Sequence, residues 1–127
     1  MMSRWNIPCG VSLHAELVGR TWVKMGHNLQ VLAPVEWESY QSDADEPYVV
    51  RCYRLPKPDG KEGFFFDPKP FLDKEYDIFV VQNLEILPMG DLLKIYPSIK
   101  SRSKTVFVVH DGKPPKDPAF YQFETVQ

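Results

Sequence analysis

Few residues of this sequence combine a reactive side chain with a position that would present it. His110 and Asp111 follow directly on the apolar run TVFVV at 105–109. An imidazole at a strand end can exchange a proton near neutral pH or hydrogen-bond developing charge. A loop histidine bonded to nearby backbone is the plainer reading, and the residues alone favour it. Asp111 fits two roles equally, orienting the imidazole or capping the segment that follows. Gly10 opens a helical stretch; lacking a Cβ, it lets backbone approach a phosphate while the N–H groups of the next turn point at it. A glycine required only by turn geometry accounts for it as well. His14, one turn further on, either reaches into a cleft or is a solvated helix histidine. Asn83 and Glu85 follow a second apolar run, where an amide and a carboxylate can bind hydroxyl groups. Helix capping competes for Asn83, and a solvated first-turn charge favoured by the helix dipole competes for Glu85. Cys9 has no base beside it in sequence and reads as a structural thiol.

The elements that must position these groups alternate between two periods. Val11, Ala15, Val18, Trp22 and Met25 form one apolar stripe at helical spacing, predicting a helix over 11–25 closed by Gly26 in the left-handed region. A buried strand at 29–33 ends at Pro34, a polar loop spans 37–47, and 48–55 has strand composition. Residues 56–63 are turn-rich, Phe64, Phe65 and Phe66 follow, and 67–70 break the chain again. Residues 76–81 read as a central parallel-type strand, and 88–96 as a helix begun by Pro88 with Met89, Leu92, Leu93 and Tyr96 inward. After the strand at 105–109 and a loop at 112–118, Asp117 and Pro118 suit the start of a short helix containing Phe120 and Phe123. Strands alternating with helices predict a Rossmann-like three-layer α/β/α domain with a mainly parallel sheet. Such sheets bind ligands beyond the carboxyl ends of their strands, here residues 6–12, 82–85 and 110–112.

With 127 residues the chain is expected to be a single domain, and a hydrophobic content of 43% suits a globular one. No apolar run has the roughly 20 residues that span a bilayer, and the opening MMSRWNIPCG lacks a signal-peptide core. Cys9 and Cys52 have no metal-ligand spacing and read as free thiols of a cytoplasmic protein. A formal net charge of −2 argues against a nucleic-acid backbone as partner.

The segment IPCGVSLHAELVGRTWVKMGHNLQVLAP resembles the start of group 1 glycosyltransferases of the GT-B fold, in which a Gly-containing loop opens a helix that closes with Gly-His before a strand ending in Pro. YDIFVVQNLEILPMGDLL is similar to a later strand, polar loop and helix of that family, and TVFVVHD to the strand that ends in its active-site histidine. The three segments stand in the family's order and cover most of the chain.

The resemblance implies retaining transfer of a sugar from a nucleotide-sugar donor to an acceptor, without metal or separate cofactor. It assigns His110 to catalysis and Gly10, His14, Asn83, Glu85 and Asp111 to substrate binding. It further implies a partial N-terminal, acceptor-side domain spanning 1–127: only residues 1–5 stand where the family has a full first strand, and the nucleotide-binding half with its paired glutamates is absent. Two other classes compete. One is a non-catalytic assembly module that pairs with a separate half or with itself to cover unfinished sheet edges. The other is an unrelated doubly-wound protein, against which no G-x-G-x-x-G follows a first strand.

Overall fold

A computed structural model describes residues 1–36, 41–54, 65–82 and 87–113. Helix α1 is Gly10–Lys24, followed by strands β1 (Val31–Pro34), β2 (Val49–Arg54) and β3 (Phe65–Phe66). The second half holds α2 (Lys69–Leu72), β4 (Ile78–Gln82), α3 (Met89–Lys100) and β5 (Lys104–Val108). The protein is a mixed α/β structure with small, mostly parallel sheets, compatible with a Rossmann-like arrangement.

β1 pairs with β2 in parallel, with a register shift between Ala33 and Pro34, and β3 joins β2 antiparallel. β4 and β5 form a separate parallel pair that matches Val80 with Val106 and Gln82 with Val108. The N-terminal segment ties the two sheets together. Met2 bridges Leu32 on one side and Val81 on the other, both in parallel. The Met2 and Gln82 N–H groups donate to Val80 and Met2 at 2.7 and 2.9 Å, and those of Leu32 and Ser3 donate to Met1 and Leu32 at 2.8 and 3.1 Å. The short apolar opening is therefore the innermost strand position, and strand order reverses across it, with β1 to one side and β4 to the other.

Alternation along these strands divides the core. Met2, Leu32, Phe79 and Val81 belong to one apolar cluster, with Phe71 of α2 and Leu92, Tyr96 and Ile99 of α3. Met1, Val31, Ala33 and Val80 belong to another, with Ala15 of α1. Neighbouring strand residues point to opposite faces, so each cluster lines its own face.

The expected helix over 11–25 is present. It closes as a Schellman motif: Gly26 has φ +89°, its N–H donates to Val23, and the His27 N–H donates back to Trp22 at 3.0 Å. The helix begun near Pro88 departs from expectation by running through Pro97 to Lys100. Proline forfeits one backbone hydrogen bond there, but ending the helix at Tyr96 would leave out Ile99, which is buried in the core. The expected break over 67–70 contains the start of α2, whose Phe71 is buried and stacks on Phe66 at 5.0 Å between ring centroids. The short helix expected around Phe120 and Phe123 lies outside the described residues, as do Trp37 and Phe64.

Candidate functional site

α1 has three distinct sides, and they organise the site. Ser12, Ala15 and Gly19 are buried beneath it. Gly19 is required by close approach: a Cβ there would lie 2.9 Å from Trp5 Cη2 and 3.0 Å from Leu29 Cδ2.

One flank of α1 is a closed polar network. Asn6, at φ +54°, takes the left-handed conformation that asparagine tolerates better than most residues. Its N–H donates to Glu16 Oε1 at 3.0 Å, and Ser12 Oγ donates to the same oxygen at 2.7 Å. Arg20 bridges Glu16, Glu46 and the Asn6 amide oxygen at 3.0, 2.7 and 2.9 Å. Trp5 Nε1 donates to Glu46 Oε2 at 2.8 Å. Burial alone would raise the Glu46 pKa, but hydrogen bonds from Trp5, Arg20, its own backbone and Asn6 hold it down to about 2. The loop ahead of Gly10 is thus held by protein groups. Cys9 caps the helix, its Sγ accepting from the Ser12 N–H at 3.4 Å.

The opposite flank is open. His14, Val18 and Trp22, spaced one turn apart, face a groove of about 870 Å³ whose other wall is Ile78, Val80 and Val106. At its upper end the His14 and His110 rings meet edge to face, 4.8 Å between centroids and 81° between planes. His110 Nε2 lies 2.9 Å from Gln82 Oε1. In that pairing Nε2 carries the proton, and Nδ1 of the neutral ring is left as an acceptor. Partial loss of hydration, and then His14 beside it, lower the His110 pKa below the ordinary histidine value.

The structure therefore brings His14 and His110 together and adds Gln82, a buried amide that closes β4. Gly10 stands one turn before His14, exposed, with open space where a Cβ would be. Asp111 accepts from the Lys113 N–H at 3.2 Å, so its contact is to the following turn. Asn83 and Glu85 lie outside the described residues.

The sequence placed Asn6 and Gln82 within the strand-end ranges 6–12 and 82–85 without giving either a role, and Glu16 was passed over. A polar residue closing the run IFVVQ, and the i, i+4 pair of Glu16 with Arg20, were the available signals.

Among the described residues, no group of three or more His, Cys, Asp or Glu is placed to hold a metal ion. None of the described helices is long and apolar enough to cross a membrane. No protein-family model and no solved structure matches the chain.

Proposed function

We propose that this chain is the acceptor-side, N-terminal part of a glycosyltransferase that moves a sugar from a nucleotide-sugar donor to an acceptor. In this reading the two sheets and the N-terminal segment form one Rossmann-like sheet of a three-layer α/β/α domain. One observation carries it. His14, Gln82 and His110 meet beyond the carboxyl ends of parallel strands, beside the segment across which strand order reverses. Parallel sheets leave their ligand crevice at such a place.

With its Nε2 bonded to Gln82, the His110 ring offers Nδ1 to a sugar hydroxyl, and a lowered pKa keeps it the neutral acceptor near pH 7. His14 forms the adjoining wall, and the glycine at the start of α1 leaves room for the ligand's backbone-facing side. The nucleotide sugar is a substrate here, and transfer proceeds without a separate cofactor.

Titration of sugars and nucleotide sugars into chain labelled at histidine tests this by NMR. The ring signals of His14 and His110 are expected to move, and His110→Ala to abolish the response. Transfer is measured with the chain joined to a nucleotide-binding half. Rings that stay unmoved, with no transfer across a broad donor panel, would sink the proposal.

A second reading, an assembly module, is favoured by Leu13 and Leu17, both exposed and one turn apart on the outward side of α1. Sedimentation at micromolar concentration decides it: self-association abolished by Leu17→Asp supports this reading, and a wild-type monomer removes its self-associating form.

A further inference from the structure

The groove beside α1 continues the histidine site along the sheet. Alternate residues of a strand share a face, and on this side β4 presents Ile78, Val80 and Gln82 while β5 presents Val106 and Val108. Gln82 stands opposite Val108 in register and holds His110, so the valine floor runs unbroken up to the imidazole. Val18 and Trp22 of α1 form the facing wall. β4 is five residues long, so the floor runs for about 16 Å. Ile78 and Val106 are 55% and 45% exposed although both belong to paired strands, which leaves this apolar surface open to a ligand. A volume of about 870 Å³ falls within the roughly 300–1,000 Å³ of small-molecule sites.

We infer that the groove binds an uncharged apolar molecule carrying a hydroxyl at one end, a phenol or long-chain alcohol, with that hydroxyl beside His14 and His110, and that this molecule is the acceptor. The acceptor role rests on the glycosyltransferase reading, whereas the binding rests on the groove alone. The lining selects this class of ligand. Valine and isoleucine side chains neither donate nor accept hydrogen bonds, so a sugar laid along the floor would lose water from its hydroxyls and find no partners there. An apolar body instead exchanges water for methyl and indole surface. The hydroxyl belongs at the upper end, where Gln82 and the two imidazoles supply polar groups. A carboxylate would meet no cation there, and at the lower end Lys74 is offset by Glu75 and Asp77. On transfer the hydroxyl oxygen bonds to the anomeric carbon of the sugar as the bond from that carbon to the nucleotide phosphate breaks. The phosphate keeps the electron pair and takes up the hydroxyl proton.

NMR of the full-length chain, labelled at valine methyls, tryptophan and histidine, tests this with para-hydroxybiphenyl, a phenol on a rigid apolar body. The methyl signals of Val80, Val106 and Val108, the Trp22 indole and the His110 ring are expected to move together. Methyl glucoside and para-carboxybiphenyl are expected to bind at least about tenfold more weakly. Val106→Asp should weaken binding of the phenol by about tenfold or more, and Val106→Thr, which keeps the branched shape and with it the fold, by about threefold. Valine methyls that stay still, methyl glucoside bound as tightly as the phenol, or a phenol bound equally well by wild type and both variants would each overturn the inference. The transfer reading fails separately. Histidine rings unmoved by every nucleotide sugar would remove it, and the acceptor role with it, while the contacts of the phenol with the valines would remain.

Discussion

The two flanks of α1 are built on opposite plans. Towards Glu46, charged and amide groups converge at distances of 2.7 to 3.3 Å, binding three separated pieces of chain (5–9, 12–20 and 42–46) into one network. Towards β4 and β5 the helix shows His14, Val18 and Trp22 to a groove, with one histidine pair at its upper end. The polar flank is specified by partners already present, so its geometry is fixed before any ligand arrives. The groove flank has an apolar floor with polar groups at its ends and a hydrogen-bonded imidazole, which is where a substrate has room. The same helix therefore separates a region whose substitution costs stability from one whose substitution alters binding.

The largest effect is expected where the closed flank meets the core. Trp5 is fully buried, and its Nε1 supplies one of the bonds holding Glu46. Trp5→Ala is expected to destabilise by about 3–5 kcal/mol, read from urea unfolding. A loss below 1 kcal/mol would mean that the network does not organise this side of the helix. Gly19→Ala follows. The added methyl gains up to about 1 kcal/mol of helix propensity. It also drives into Trp5 at 2.9 Å, and crowding of a packed core costs about 1–3 kcal/mol. Net destabilisation is expected for Gly19→Ala and none for Gly10→Ala, where the same methyl meets open space.

That contrast also explains what could be read ahead of the structure. Local patterns were legible: the period of α1, its closing glycine and the apolar runs of β1, β4 and β5 all rest on neighbours in sequence. Met25 belongs to the predicted apolar stripe yet is 66% exposed, because it caps the end of the helix, whereas Ala15 of the same stripe is fully buried against the sheet. Met2 shows why the opening seemed too short for a strand. Its place between Leu32 and Val81 depends on partners 30 and 79 residues away, which no local pattern displays. The site follows the same rule. His110 and the range beginning at Gln82 were each found from their own strands, whereas the contact between the two, across 28 residues, required the pairing of β4 with β5.

Acid titration sharpens the comparison in a smaller way. The Glu46 pKa stands at about 2, below the ordinary 4.5, so the folded state binds a proton later than the unfolded one. Its contribution is fully present above about pH 4.5 and is lost as the pH falls towards 2. Asp45, lowered chiefly by its hydrogen bonds to Arg51, adds in the same direction. The acid loss assigned to Glu46 is expected to be on the order of 1–2 kcal/mol after screening by solvent, and Glu46→Gln should flatten that limb of the stability curve.

The smallest expected change in stability is also the most informative for the open flank. His14 is exposed, and replacing it with alanine should alter unfolding free energy by no more than about 0.5 kcal/mol. Its effect belongs on the neighbouring ring. The His110 pKa is lowered first by lost hydration and then by His14. His14→Ala weakens both causes at once, since it removes a ring 4.8 Å away and lets water reach the exposed edge. The His110 titration, followed through its ring proton by NMR, should therefore move up towards the ordinary value of 6.5. His27→Ala supplies the control, because His27 lines the far end of the same groove. An unchanged His110 titration in His14→Ala would mean that the two rings do not face each other in solution. The convergence on which the proposed function rests would then be lost, while the polar flank, and the fold it holds, would stand.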